Sequence, residues 1–137
     1  MLEDVRRLFD RQPLMATLGV TLVHVTDGEV ALRIPFQPTL TQQTGALHAG
    51  VLTAIVDSAC ALAAATQLPA GRTIVSVEFK LNLLSPAIGD EMCAIGRVVR
   101  AGRTLTVCSG DVWAVTGETR THVAVMQATM MSVADAV

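Results

Sequence analysis

The residues best suited to chemistry lie in the segment TQQTGALHAGVLTAIVDSACALAAATQL, residues 41–68, which contains one acid, Asp57. The pattern predicts a helix from His48 to about Gln67, ended by LPAG. A carboxylate in the middle of an apolar helix is costly without partners, and its pKa rises. Such a group suits a general base or a nucleophile. The alternatives are that Asp57 bonds a nearby backbone group or faces solvent, and its mid-helix position among apolar neighbours disfavours both.

The beginning of the same helix offers hydrogen-bond donors. Near His48, Ala49 and Gly50 the first N–H groups have no helical acceptor and carry the positive end of the dipole, which suits an oxyanion. Ala49 and Asp57 are separated by roughly 12 Å of helical rise, too far for one carbonyl to contact both. If they act together, they come from two chains, with antiparallel helices about a two-fold axis. We therefore expect a homodimer with two shared sites.

These residues also have purely structural interpretations. His48 can cap the helix, and Gln42 can be a loop amide. Gly45 and Gly50 can serve turn geometry or close helix packing.

Turn signals and alternation predict the elements that position these residues. A short helix over residues 2–11 and a turn from Pro13 precede two strands joined by Asp27-Gly28, a hairpin signal. Residues 37–47 form the longest candidate loop, and four strands follow the long helix. This order predicts an α+β fold with an antiparallel sheet, curved around the long helix, in one domain over residues 1–137.

The composition indicates either a membrane span or a large subunit interface, because 51% of residues are hydrophobic and 16% are charged. A span is disfavoured, since a central Asp costs about 3 kcal/mol on insertion scales. The charged N-terminus, MLEDVRRLFDRQ, has no features of a signal peptide. We expect a cytoplasmic, oligomeric protein without a membrane partner.

Other function classes find little support. The net charge is −2 without a Lys/Arg run, which disfavours nucleic acid as a partner. No His pairs with Cys or an acid at a metal-ligand spacing, so we expect no metal. Cys60, Cys93 and Cys108 lie in apolar patterns typical of reduced core thiols.

The segment GALHAGVLTAIVDSA resembles the motif of hot-dog-fold acyl-CoA thioesterases of the PaaI-like, phenylacetate-pathway type. That motif runs approximately G-x-x-H-G-G-x-x-x-x-x-x-D/E, with Asn or Gln just upstream. VSVEFKLNLLSPAIGD and GRVVRAGRTLTV extend the resemblance over about 40–132. It implies a hot-dog fold: a long central helix wrapped by a curved antiparallel sheet of about five or six strands. It also implies homodimers that often pair into tetramers.

The activity implied by this resemblance is hydrolysis of an aryl or medium-chain acyl-CoA to the free acid and coenzyme A. No cofactor is implied beyond the coenzyme A of the substrate. Asp57 takes the position of the catalytic nucleophile or base. His48 and Gln42 take the positions that bind or orient the thioester carbonyl and the attacking water. Ala49 replaces the first motif Gly but keeps its N–H, and Gly50 keeps the second.

Some members of the family have a hydroxyl residue one turn after the acid, where this chain has Ala61. Positioning of water then falls to Ser58 or Ser76, and Ser76 is also a candidate for substrate binding.

Family members often use basic residues near the Ala101-Gly102 turn to hold coenzyme A phosphates. Arg97, Arg100 and Arg103 surround this turn here, and Arg100, Gly102 and Arg103 are the candidates for that site. The alternative is an ordinary solvated hairpin end.

Two other functions remain open from the sequence. One is a hydratase or dehydratase acting on enoyl or 3-hydroxyacyl thioesters, although the Pro/Gly-rich stretch around its His is missing here. The other is a non-catalytic module that binds acyl-CoA, which the Ala49 and Ala61 departures suggest.

Overall fold

The computed structural model describes residues 1–136, which form three α-helices and six strands. The helices are α1 (Leu2–Asp10), α2 (Pro13–Leu18) and α3 (Ala49–Ala65), and a 3-10 turn covers Pro38–Leu40. The strands are β1 (Thr21–Thr26), β2 (Glu29–Pro35), β3 (Arg72–Leu83), β4 (Glu91–Ala101), β5 (Leu105–Thr116) and β6 (Thr119–Ala134).

The strands form one antiparallel sheet in the order β1-β2-β4-β5-β6-β3. The predicted hairpin at Asp27-Gly28 is confirmed, with Gly28 at φ +78, a backbone conformation that favours glycine. The sheet curves around α3, which packs against β2, β3, β4, β5 and β6. The α+β fold predicted from the order of elements is confirmed.

Two glycines on the inner face of the sheet let α3 approach closely. Gly96 on β4 pairs with Gly110 on β5. A side chain at Gly96 would collide with the backbone of Ala59 and Cys60, and one at Gly110 would meet the side chain of Val56. The glycine pair therefore forms the groove in which the helix lies.

The core lies between α3 and the sheet. Val30, Leu32 and Ile34, which alternate along β2, are fully buried. Cys60 and Cys108 are also fully buried free thiols. Burial raises the pKa of Cys108 to about 11 and raises that of Cys60 as well, so both thiols stay protonated.

Strand β3, in which apolar and polar residues alternate, lies at an edge of the sheet, and within residues 1–136 it pairs only with β6. Its apolar side chains are largely exposed: Val75 by 42%, Val77 by 54% and Phe79 by 45%. Alternation therefore predicted the strand correctly, whereas its exposure follows from its place in the sheet.

Candidate active site

His48 caps the beginning of α3. Its backbone is extended, with φ −61 and ψ 139, and its side-chain Nδ1 accepts a hydrogen bond of 2.8 Å from the N–H of Gly50. Because Nδ1 is the acceptor, the proton of the neutral ring is on Nε2. The capping role considered for His48 is therefore present, and it leaves a second ring donor at Nε2.

The hydrogen bonds at the helix start separate the roles of Ala49 and Gly50. The N–H of Gly50 is engaged by His48, and a Cβ at position 50 would lie 3.0 Å from His48 Nδ1. The N–H of Ala49 makes no hydrogen bond within residues 1–136. Ala49 therefore supplies the free backbone donor, and Gly50 allows the ring of His48 to lie close to the helix.

Gln42 lies with the helix start on one cavity of about 470 Å³. The loop that carries it is closed by a bridge between Thr41 and Leu47, and the Oε1 of Gln42 accepts from the N–H of Thr44. The wall opposite the helix start runs from Leu83 to Ala87. The structure thus brings Gln42, His48 and Ala49 together on one cavity.

Asp57 lies on a different cavity, of about 300 Å³, and is half-buried. The hydroxyl of Ser76, on β3, donates a hydrogen bond of 2.7 Å to Asp57 Oδ1. Burial raises the pKa of Asp57 above its usual range, and the Ser76 hydrogen bond partly opposes that rise. A carboxylate with one hydroxyl partner and an open cavity beside it is able to act as a base or a nucleophile.

Of the two serines considered as partners in the site, Ser76 contacts the acid. The hydroxyl of Ser58 instead donates a 2.8 Å hydrogen bond to Gln12 Oε1. Ala61 lines the Asp57 cavity without a polar group of its own. Ser76, on β3, therefore supplies the hydroxyl beside Asp57 that α3 lacks at Ala61.

The residues considered for coenzyme A lie at the exposed turn between β4 and β5. Arg100, Gly102 and Arg103 line neither of the two cavities. Arg97 is held in ion pairs with Glu29, at 2.7 Å, and Asp111, at 3.4 Å. Within residues 1–136, Arg100 and Arg103 make no ion pair, whereas Arg97 is bound to two carboxylates.

Part of the Asp57 cavity comes from residues that the sequence did not indicate. Leu8, Arg11 and Gln12, from α1 and the residues that follow it, line the cavity beside Asp57. They are more than 40 residues away from Asp57 in the chain, and no local pattern marks them.

Two structural features are absent from residues 1–136. No group of three or more His, Cys, Asp or Glu side chains there is arranged to hold a metal ion. No helix in that part of the chain is both long and apolar enough to cross a membrane.

Comparison with known proteins identifies the family. Residues 44–121 match the model of the thioesterase superfamily. The crystal structure of a thioesterase family protein from Silicibacter pomeroyi superposes with a TM-score of 0.95 at 40% identity, covering 98% of both chains. The E. coli PaaI protein from the phenylacetic acid degradation operon, 18% identical, has a TM-score of 0.86 over 96% of this chain and 92% of that one, a likeness of fold.

A relative with a thioesterase name is similar in sequence. Mouse acyl-coenzyme A thioesterase 13 is 30% identical over 94 residues, which are 68% of this chain and 66% of the relative. The chain therefore belongs to the thioesterase superfamily, and it is a thioester hydrolase with the hot-dog fold.

Proposed function

We propose that the protein hydrolyses an acyl-CoA to the free acid and coenzyme A at a site shared by two chains. The observation that carries this proposal is the placement of the two halves of the site. Asp57 and Ser76 share one cavity, and Gln42, His48 and Ala49 share another. Each cavity has half of the groups that thioester hydrolysis needs.

The chemistry follows from the groups present. The thioester carbonyl oxygen accepts hydrogen bonds from the N–H of Ala49 and from Nε2–H of His48, which stabilise negative charge as it develops on that oxygen. Asp57 either attacks the carbonyl carbon or takes a proton from the attacking water. Coenzyme A leaves as a thiolate. Gln42 orients the carbonyl or the water, and Ser76 holds the carboxylate in place.

The unpaired edge of β3 supports the two-chain arrangement. A long exposed apolar edge readily pairs with another strand. We place Ser76 opposite Leu83 of the partner subunit in an antiparallel pair of β3 strands. Ser76 contacts Asp57, and Leu83 lines the cavity of His48 and Ala49. This register therefore brings Asp57 of one chain to the helix start of the other, while pairing of dimers into tetramers stays a prediction.

Coenzyme A needs a site for its phosphates. We propose that Arg100 and Arg103 bind them beside Gly102, because guanidinium groups hold phosphate oxygens in bidentate fashion. The turn lies at the same end of the sheet as Ser76. The carbonyl of Thr104, just after the turn, accepts a 2.9 Å hydrogen bond from the N–H of Ser132 on β6. Ser132 pairs with Ile74 on β3, two residues before Ser76. The three free thiols fit a reducing compartment such as the cytoplasm.

Release of free thiol from a panel of aryl and aliphatic acyl-CoAs tests the reaction. The proposal expects thiol release with at least one medium-chain or aryl ester. Loss of enoyl absorbance from crotonyl-CoA without thiol release would instead indicate a hydratase. Heat-stabilisation by the esters with no thiol release would indicate a binding module.

Mixed dimers test whether the site is shared. A heterodimer of one Asp57→Asn chain and one Ala49→Pro chain, isolated through two affinity tags, retains one site with both groups intact. We expect about half of the wild-type activity, because a two-fold dimer has two equivalent sites.

The matched control places both substitutions in one chain and pairs it with a wild-type chain. Each shared site then lacks one group, and the heterodimer is expected to be inactive. If each chain carried its own complete site, the two results would be reversed.

The pH dependence tests the role of Ser76. Ser76→Ala removes the hydrogen bond that lowers the pKa of Asp57, so that pKa rises further. Asp57 acts in its ionised form, and the rate falls as pH drops through its pKa. The acidic limb of the profile of kcat/KM against pH should therefore move to higher pH, with activity regained at alkaline pH.

Ser58→Ala is the matched control for this shift, because its hydroxyl bonds Gln12 rather than Asp57. Its acidic limb is expected at the wild-type pH. An unchanged limb in Ser76→Ala would mean that Asp57 is not the group titrating in the rate.

A further inference from the structure

The cavity beside Asp57 extends in one direction along α3. Ala61 and Ala65 follow Asp57 at intervals of four residues, so the three lie on one face of the helix. Thr73 and Ile74 of β3 form the opposite wall. The small alanines leave a channel from the carboxylate toward the end of the helix.

Leu8 of α1 bounds the far end of this channel beside Ala65, and the same two residues line the next cavity along the helix. Leu8 of α1 and the following Arg11 and Gln12 line the cavity together with Ala65. Val5, one turn earlier on α1, is 1% exposed and fixes the helix against the core. The N-terminal segment therefore forms a wall along the channel, with Gln12 beside Ser58 near the carboxylate and Leu8 at the far end.

Two polar contacts hold this wall in place. Gln12 accepts the hydrogen bond from Ser58, which is 8% exposed. The guanidinium of Arg11 donates to both carboxylate oxygens of Asp135, at 2.9 and 3.2 Å, across 124 residues of sequence. The wall is thus tied both to α3 and to the segment after β6.

The thioester carbon must lie beside Asp57 for the proposed reaction, so the acyl group extends from that point. The part of the channel toward Ala65 offers the apolar side chains of Leu8, Ala61 and Ala65. The groups proposed for the thioester carbonyl and coenzyme A lie instead at the helix start of the partner and at the arginine turn. The acyl group therefore fits the channel that α1 bounds.

We propose that the N-terminal wall, formed by Leu8, Arg11 and Gln12, sets the greatest length of acyl group that the enzyme accepts. The inference rests on the proposed function, because it requires the acyl group to start at Asp57. A cavity of about 300 Å³ holds on the order of ten non-hydrogen atoms at roughly 30 Å³ each. Octanoyl fits this space, and dodecanoyl exceeds it.

Kinetics with butanoyl-, octanoyl- and dodecanoyl-CoA test the wall with one substitution on α1 and one on α3. The wild-type enzyme is expected to prefer octanoyl- to dodecanoyl-CoA. Leu8→Ala opens the wall, and the ratio of kcat/KM for dodecanoyl- to octanoyl-CoA should rise at least about tenfold. Ala65→Leu narrows the channel from α3, and the ratio for octanoyl- to butanoyl-CoA should fall at least about tenfold.

Arg6→Ala is the matched control, since Arg6 lies on the same helix, is exposed and lines neither this cavity nor the next one along the helix. Both ratios are expected to stay at the wild-type values. Ala65→Leu also keeps the test independent of α1, should Leu8→Ala loosen that helix. The inference is overturned if both variants leave both ratios within about twofold of wild type, well under the effect of one methylene group.

Binding separates this inference from the proposed reaction. The dissociation constants of the three esters are measured on Asp57→Asn by calorimetry, with and without each wall substitution. A length limit that Leu8→Ala relaxes supports the wall even if no ester is hydrolysed. Binding that does not depend on acyl length in any variant overturns it even if hydrolysis is found.

Discussion

Replacing Ala49 by proline is expected to lower kcat by about 100- to 1000-fold, the cost of removing one oxyanion donor. The N–H of Ala49 is the backbone donor at the start of α3 that no group in residues 1–136 occupies. Proline lacks this N–H, so the carbonyl oxygen loses a donor as it gains charge. The measurement is the rate of thiol release at saturating acyl-CoA.

Proline is well suited to this position, so the substitution removes the N–H donor and keeps the helix intact. Ala49 is the first residue of α3, where proline is favoured because its missing N–H would have no helical partner. The preceding His48 has ψ 139, the extended conformation that a residue before proline prefers. Circular dichroism should therefore show wild-type helix content.

Ala49→Gly is the matched control, because glycine keeps the N–H and removes only the methyl group. Its kcat is expected to stay near the wild-type value, and its acyl preference reports whether that methyl narrows the site. A proline variant as active as the glycine variant would exclude the Ala49 N–H from the reaction.

Asp57→Asn is expected to reduce kcat/KM by at least about 100-fold, the lower end of what a general base contributes. Asparagine has the same shape and keeps an acceptor for the Ser76 hydroxyl, but it neither takes a proton nor attacks a carbonyl carbon. A variant that hydrolyses a good acyl-CoA at the wild-type rate would show that another group performs the reaction.

The same substitution should not reduce stability at neutral pH. Burial raises the pKa of Asp57 in the folded protein, so ionisation favours the unfolded chain and stability falls as pH rises through that pKa. Asparagine does not ionise, and its melting temperature at pH 7 is expected to equal or exceed that of the wild type. A loss of activity without a loss of stability marks a functional residue.

Asp111→Asn provides the matched acid-to-amide control. Asp111 lies on the outer face of the sheet, where it pairs with Arg97 and with His122 Nε2 at 2.8 Å. It lines neither cavity of the site. Loss of the Asp111 carboxylate is expected to lower the melting temperature and to leave kcat/KM within a few-fold of wild type.

The residues of the candidate site were predicted from the sequence to different extents. The helix around Asp57 and its start at His48 follow from local patterns, because capping and helical periodicity act within a few residues. Ser76 was one of two serines expected to assist Asp57, but the sequence did not decide between them, since the contact joins β3 to α3. Nor did any pattern place Gln12 against Ser58, which lies 46 residues further along the chain.

The sequence by itself determined the elements and the family: the Asp27-Gly28 hairpin, the long apolar helix with one acid, the alternating strands and the thioesterase motif. Tertiary structure alone decided that β3 is an exposed edge, that Gly96 lies under the helix and that Arg11 binds Asp135. The physical reason is that turns, caps and periodicity are set by neighbouring residues. Strand order and cavity walls depend instead on contacts between distant segments, which form only when the whole sheet closes around α3.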